Sequence, residues 1–191
     1  MAIFVISDTH FCHNKDFIYK LRGFNNYQEH DEAIVRNWNS VVGPNDDIYH
    51  LGDVFMGPRA ENALKIIEQL NGKIHLMRGN HDADNKVKEL LKLPNIVEVL
   101  YGKTIHIGRY KYFLAHFAAI TGDPRSGMPR TISLHGHTHS PDPFEFVEFC
   151  SYNVAVDAHN MTPVNIETVR PAMIKELEKR NMLGNSQARK E

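Results

Sequence analysis

Aspartate, asparagine and histidine recur in five short motifs along the chain. The motifs are Ser7-Asp8-Thr9-His10, Gly52-Asp53, Gly79-Asn80-His81-Asp82, His116 and Gly136-His137-Thr138-His139. Taken singly, an Asp or Asn beside a glycine is more often a turn residue than a ligand. Together the motifs supply carboxylate, carboxamide and imidazole groups, the N/O ligand set typical of first-row transition metals. They predict a metal site, provided that the fold brings them together.

The first three motifs each follow an apolar run with the length of a buried strand, at 3–6, 48–51 and 74–77. Between these runs, apolar residues recur at helical spacing around Trp38 and over 60–70. Alternating strands and helices predict a parallel sheet with right-handed crossovers. Because ligand sites of open α/β sheets lie at the carboxyl ends of the strands, we expect the motifs to converge there.

The second half of the sequence has a different pattern. Short strands are predicted without long helices between them, and Gly102 and Gly108 lie where tight turns would close two hairpins. His116 ends one of these strands, and the Gly136 motif follows another. The predicted strands are 96–100, 104–107, 110–115, 131–134 and 152–156, and a final helix is predicted over 171–180.

Composition limits the classes of partner. The 22 Lys and Arg residues nearly balance 23 Asp and Glu residues, so we do not expect a nucleic-acid partner. The first apolar run is too short for a signal peptide or a membrane span, so we expect a cytoplasmic protein without a membrane partner. The two cysteines, Cys12 and Cys150, are predicted to be free thiols. We expect one domain over 1–180 and a flexible tail over 181–191.

The order of the five motifs resembles that of the calcineurin-like metallophosphoesterase superfamily, especially its short single-domain bacterial and phage phosphoesterases. The resemblance implies an α/β fold, a four-layer α/β/β/α sandwich with mixed sheets. It also implies two divalent metal ions about 3.5 to 4 Å apart. Asp8, His10, Asp53 and His139 would hold one ion, and Asp53, Asn80, His116 and His137 the other, with Asp53 bridging. Mn²⁺ is our first choice, ahead of Fe, Zn, Co or Ni.

The same resemblance implies hydrolysis of a phosphate ester by a metal-bridging hydroxide. His81 would protonate the leaving oxygen, and Asp82 would orient His81 by accepting a hydrogen bond from its ring. In the alternative interpretation, Asp82 caps a helix that starts near Ala83.

The expected substrate is a small phosphodiester or phosphomonoester, with a nucleotide or cyclic nucleotide among the candidates and the diester favoured. Family protein phosphatases carry an arginine soon after the bridging aspartate, whereas Val54, Phe55 and Met56 follow Asp53 here. Arg125, Arg130 and Asn14 are secondary candidates for substrate binding, with solvated loop residues as the alternative.

Three further alternatives follow from the same sequence. A catalytically silent binding scaffold shares this fold, but such scaffolds lack key histidines that are present here. The alternating segment 144–149 is either an edge strand for a homodimer or, as we favour, strand packing within the monomer. Cys12 stands where close relatives commonly have glycine and is either a redox-sensitive thiol or, as we favour, an inert one.

Overall fold

The computed structural model describes residues 1–57 and 60–184. The first half alternates strands with helices, as the periodicity predicts. Its elements are β1 (Ile3–Ile6), α1 (Asp16–Tyr19), α2 (Tyr27–Val41), β2 (Asp47–His50), α3 (Ala60–Ile67), β3 (Lys73–Met77), α4 (Asp84–Leu90) and β4 (Ile96–Leu100). The second half contains β5 (Gly102–Ile107), β6 (Tyr110–Ala115), β7 (Thr131–His135), β8 (Ser151–Asn153), β9 (Val164–Asn165) and α5 (Ile166–Lys179).

The first sheet has the strand order β4-β3-β2-β1-β9. The neighbours β1, β2, β3 and β4 pair in parallel, and only β9 runs antiparallel to its neighbour β1. The predicted parallel sheet is therefore confirmed. Its consequence is that β1, β2 and β3 all end at the same edge.

The second sheet has the order β5-β6-β7-β8 and corrects part of the prediction. Only β5 and β6 form a hairpin, which turns at Gly108, whereas β6–β7 and β7–β8 are parallel pairs. Gly102 closes no hairpin, because β4 belongs to the first sheet and β5 to the second. The parallel pairing places the ends of β6 and β7 side by side.

Two apolar clusters hold these layers together. One lies between the first sheet and helices α2, α3 and α4, and includes the fully buried Trp38 and Ile67. The other joins the facing sides of the two sheets through residues such as Val5, Tyr49 and Leu134. The α5 side chains Val169 and Met173 belong to this second cluster. The α/β class with two mixed sheets and packed helices is thus confirmed.

The last helix starts earlier than predicted. α5 begins at Ile166 rather than at 171, because the Asn165 side chain accepts a hydrogen bond from the Glu167 N–H and caps it. Pro171 lies inside the helix instead of marking its start. After α5, Met182 and Leu183 pack against the second cluster. The remainder of the predicted tail, 185–191, lies outside the described residues.

The segment 144–149 is not the predicted strand. It consists of turns followed by a 3₁₀ helix, Val147–Phe149, in which Val147 is fully buried. Phe144 contacts the Tyr152 ring within the same chain. The alternating phenylalanines and glutamates therefore lie in turns and a 3₁₀ helix, and the segment offers no strand edge to a second copy.

Among the described residues, no helix is both long and apolar enough to cross a membrane.

Candidate metal centre

The loops after five strands meet at one edge of the two sheets, as expected from the sequence. The loop after β1 lies against the loop after β2, because Asp8 N–H donates to the Gly52 carbonyl at 3.0 Å and His10 N–H to the Asp53 carbonyl at 3.1 Å. The loop after β1 also contacts the second sheet, where His137 N–H donates to Asp8 Oδ2 at 2.9 Å. These bonds place side chains from both sheets around one centre.

Five predicted ligands have backbone angles that L-residues seldom adopt. Their φ values lie between 49° and 72°, in the left-handed region. The five are Asp8, His10, Asp53, His137 and His139. Such strain persists only where the surroundings enforce it, and it clusters at functional sites. Here the strained backbone turns consecutive loop side chains towards a common centre.

A first donor group consists of Asp8, His10 and His139. Asp8 Oδ1 lies 3.8 Å from Nε2 of His10 and 3.8 Å from Nε2 of His139. Asp8 Oδ1 and both ring nitrogens of His10 are buried without a hydrogen-bond partner. Buried polar atoms are rarely left unpaired. A cation between Asp8 Oδ1 and His10 Nε2 would accept a lone pair from each and so account for two of the three atoms.

A second group contains Asp53, Asn80, His116 and His137. His116 Nε2 lies 3.6 Å from Asp53 Oδ2 and 2.8 Å from Asn80 Oδ1. His137 Nδ1 lies 3.0 Å from the same Asn80 oxygen. Asn80 and His137 are exposed, so this group opens to solvent, whereas the first group is largely buried.

A backbone carbonyl orients the His116 ring in the second group. Its Nδ1 lies 2.8 Å from the Leu51 carbonyl, which can only accept, so Nδ1 carries the proton. In the neutral ring, Nε2 then directs a lone pair at Asn80 Oδ1, itself an acceptor. His137 Nδ1 lies 3.2 Å from the same His116 nitrogen, so three potential metal-binding atoms meet at this point.

Asp53 lies between the two groups. Its Oδ2 is 3.8 Å from His10 Nε2 and 3.6 Å from His116 Nε2, and its Oδ1 accepts from His81 N–H at 2.9 Å. One oxygen is therefore held by the backbone while the other faces both groups. The donor set and the unpaired buried atoms fit bound divalent cations, and Asp53 is placed to contact both donor groups.

The charges of the site affect the pKa of Asp8. Burial by itself would raise this pKa, but His10, His139 and His116, together with the Ser7 hydroxyl, hold it well below its usual range. Asp8 is therefore a carboxylate at neutral pH, as a metal ligand must be.

His81 lies at the open side of the site. Its side chain is 47% exposed, and Nε2 is 3.9 Å from Asp53 Oδ2. The ring approaches His10 edge-on at 5.9 Å between centroids. His81 therefore faces both the donor groups and solvent.

Asp82 does not orient His81, which corrects our prediction, and it does not cap α4 either. Its carboxylate is buried and accepts backbone N–H groups of Asp53 at 2.8 Å, Gly79 at 2.8 Å and Val54 at 3.2 Å. The N-cap of α4 is Ala83, without a side-chain cap bond. Three backbone donors satisfy this carboxylate, so Asp82 joins the loops after β2 and β3.

Sequence reasoning missed a buried arginine next to the site. The Arg22 side chain is 2% exposed, and its guanidinium donates to both oxygens of Asp157 at 2.9 and 2.8 Å. Asp157 in turn accepts from His139 Nδ1 at 3.0 Å. This fixes the His139 tautomer, so Nε2 offers its lone pair towards Asp8. Arg22 and Asp157 are 135 residues apart, and no local pattern joins them.

His13 and Cys12 follow the first ligands in the same loop. His13 is partly buried, and its ring lies 5.4 Å from that of His10. Burial raises the pKa of the Cys12 thiol to about 12, with Asp31 adding to the effect. A thiol that stays protonated is a poor nucleophile, so the structure favours the inert interpretation of Cys12.

None of the three secondary candidates for substrate binding lines the cavity that opens at the site. Arg130 directly precedes β7, so the length of this strand separates it from the site at the strand's other end. Arg125 pairs with Asp123, and the neighbouring Pro124 carbonyl accepts from Gly184 N–H. Asn14 is exposed and does not line the cavity that opens at the site. These residues were chosen because they lie near the motifs in the sequence, and that proximity did not place them in the cavity.

Two known proteins are similar to this chain in sequence, and a crystal structure is similar to it in fold. An uncharacterized protein of Methanocaldococcus jannaschii is 33% identical over 175 residues, which cover 87% of this chain and 88% of that protein. The Gene 66 protein of Mycobacterium phage L5 is 28% identical over 160 residues, 71% of this chain and 76% of that protein. The crystal structure of a protein of unknown function from Aquifex aeolicus matches with a TM-score of 0.67 at 26% identity, covering 90% of this chain and 98% of that one.

A sequence model of a protein family also matches most of this chain. Residues 1–156 match the model of the calcineurin-like phosphoesterase superfamily domain, a span that contains all five motifs. This family implies divalent metal ions, and the converging carboxylates and imidazoles are candidate ligands for them. The chain belongs to the calcineurin-like phosphoesterase superfamily.

Proposed function

We propose that the protein is a metal-dependent hydrolase of small phosphate esters, with phosphodiesters preferred over monoesters. The observation that carries the proposal is the pair of donor groups sharing Asp53, one buried and one open to solvent. Asp8, His10, Asp53 and His139 would hold one cation, and Asp53, Asn80, His116 and His137 the other. Mn²⁺ is the first choice, because neutral imidazoles suit Mn, Fe, Co or Zn better than Mg.

When bound, the two cations would activate a water for attack on phosphorus and offset the negative charge that grows on the phosphoryl oxygens. The chain's own residues supply the rest. Asp157 and the Leu51 carbonyl fix the tautomers of His139 and His116, so that their Nε2 atoms face the site. Asp82 holds the loops that carry Asp53 and Asn80.

His81 is the group proposed to protonate the leaving oxygen. It lies beside the donor groups, and half of its ring reaches solvent, from which a proton can be recovered after each turnover. Its backbone is fixed by the bond from His81 N–H to Asp53 Oδ1 at 2.9 Å. The ring can therefore meet a phosphate ester without being a ligand itself.

The test compares one aryl phosphodiester with its monoester, using metal-stripped protein with and without added Mn²⁺. We expect Mn²⁺ to restore hydrolysis, with the diester turned over faster. Preference for the monoester would contradict the diester assignment. Absence of turnover on both esters, with metal shown to be bound, would contradict the enzyme and favour a binding scaffold.

A further inference from the structure

A cavity of about 950 Å³ opens beside the first donor group. His10, His81 and His139 line it on the side of the site, and Arg36 and Asn37 of α2 also line it. This volume is near the upper end of the range for small-molecule sites, about 300 to 1,000 Å³. The cavity is therefore large enough for an organic group attached to a phosphate that lies at the donor groups.

Large apolar side chains line much of this cavity. Phe17 and Leu21, in and after the short helix α1, are 63% and 85% exposed. Met56 and Met161 line it as well. The Phe17 ring meets His13 edge-on at 5.6 Å, and His13 lies next to His10. Apolar side chains exposed together beside polar donors are typical of a ligand-binding surface.

Two arginines also line the cavity, and they differ in whether they have partners. The guanidinium of Arg22 is hydrogen-bonded to both carboxylate oxygens of Asp157. Arg36 is exposed, and within 1–57 and 60–184 no residue forms an ion pair or hydrogen bond with its side chain. A guanidinium can stack on an aromatic face and donate to ring nitrogens or carbonyl oxygens. An acyl chain would leave this group without a partner, and a bare sugar would leave Phe17 and Leu21 in water.

We propose that this cavity binds a flat aromatic heterocycle of nucleobase type, carried by the phosphate ester whose phosphate lies at the donor groups. The proposal rests on the proposed function and names its substrate class. Phe17 and Leu21 would cover the ring, and Arg36 would contact its polar edge. These three side chains would then determine specificity without taking part in the hydrolysis.

The test measures binding to the Mn²⁺-loaded protein by calorimetry, with adenosine 5′-monophosphate, ribose 5-phosphate and inorganic phosphate as probes. We expect the nucleotide to bind about tenfold or more tighter than ribose 5-phosphate, because base stacking on aromatic side chains is of that order. The double variant Phe17→Ala, Leu21→Ala should remove this preference and leave phosphate binding unchanged. Leu91→Ala, which removes a leucine that is 52% exposed outside the cavity, should keep it.

Equal affinity for the nucleotide and ribose 5-phosphate would overturn the proposal, as would a preference that survives the double variant. Hydrolysis of the aryl phosphodiester, measured on the same samples, separates this failure from that of the proposed function. Hydrolysis without nucleotide preference contradicts the heterocycle cavity alone. Nucleotide preference that depends on Phe17 and Leu21, without hydrolysis of any ester, contradicts the enzyme and supports the cavity.

Discussion

At the scale of single residues, the position of Asp53 is set by its backbone conformation and by the different partners of its two carboxylate oxygens. One carboxylate oxygen accepts the His81 backbone N–H, while the other faces His10 and His116. Its own backbone has a φ of 57°, and its N–H is held by Asp82. Strain and hydrogen bonds together direct the carboxylate between the two donor groups.

His81→Ala should lower turnover by about a hundredfold or more, because a positioned general acid contributes 10²–10⁴-fold. The effect should be larger for esters of alcohols than for nitrophenyl esters, whose leaving group needs no proton. Both metal ions should remain bound, since His81 is not among the proposed ligands. His106→Ala, at an exposed position of β5, is the matched control. Normal kcat in the His81 variant would refute the general-acid role.

Asp157→Asn should weaken metal binding about 10- to 100-fold, because partners that orient a ligating histidine have effects of this size. The change removes the anion that His139 Nδ1 and Arg22 share. Asp123→Asn also removes a carboxylate paired with an arginine, Arg125, and should leave metal affinity unchanged. Equal Mn²⁺ affinity of the two variants, measured by titration of folded protein, would show that Asp157 does not position His139.

The residue types and spacing were sufficient to predict that side chains such as Asp8, Asp53 and His116 would lie close together. They were not sufficient for the groups around the ligands. Arg22 and Asp157 join segments 135 residues apart, and Asp82 satisfies backbone donors that no sequence pattern reports. Such partners are set by how the loops pack, so they become visible only in three dimensions.

At the scale of elements, the loops after β1 and β7 are pressed together at Gly136. A Cβ there would lie 2.0 Å from Asp8 Oδ2 and 2.1 Å from the Ser7 hydroxyl oxygen. Real side chains do not approach so closely, so any residue larger than glycine must push the two loops apart. The short distance between Asp8 and His137 depends on this contact.

Gly136→Ala should therefore abolish tight metal binding and cost about 1 to 3 kcal/mol of stability through overpacking. Gly108→Ala is the control, because a Cβ at Gly108 meets nothing within 4 Å although its φ is +57°. That control should lose some stability to backbone strain but keep its metal affinity. Metal titration and thermal unfolding of both variants measure the difference. Unimpaired Mn²⁺ binding by Gly136→Ala would contradict the packing argument.

The turn after β8 should contribute to the pH dependence of stability through His159. Burial lowers the pKa of His159, although its Nε2 bonds to the Asn153 carbonyl at 2.8 Å. The unfolded chain therefore binds this proton at a higher pH than the folded chain. The free energy of unfolding should fall as the pH drops below about 6.5. His159→Gln keeps a donor for Asn153 and should show a smaller fall in chemical denaturation between neutral and acidic pH. An unchanged pH slope would contradict this contribution.

The hairpins predicted after residue 96 were largely wrong for a reason specific to these strands. The chain between β6 and β7 makes a parallel crossover, and its regular structure is limited to a 3₁₀ turn, Pro124–Ser126. Parallel crossovers usually contain a helix. Because the sequence between these strands shows no helical pattern, it favoured hairpins. The error left the site prediction intact, because parallel pairing places His116 and the Gly136 motif at the same edge.

At the scale of the whole molecule, both sheets contribute side chains to one site. The first sheet supplies Asp8, Asp53 and Asn80, and the second supplies His116 and His137. Hydrogen bonds such as Ser7 N–H to the Val154 carbonyl, at 3.1 Å, join the halves next to the ligands. Metal binding should therefore stabilise the entire domain, because the unfolded chain has no preformed site.

The most direct measurement is the number of Mn²⁺ ions held by each chain. Metal-stripped protein would be dialysed to equilibrium against Mn²⁺, and bound metal would be counted by elemental analysis. Two ions per chain are expected, because two donor groups share Asp53. A single ion, or none, bound by folded protein would contradict the account.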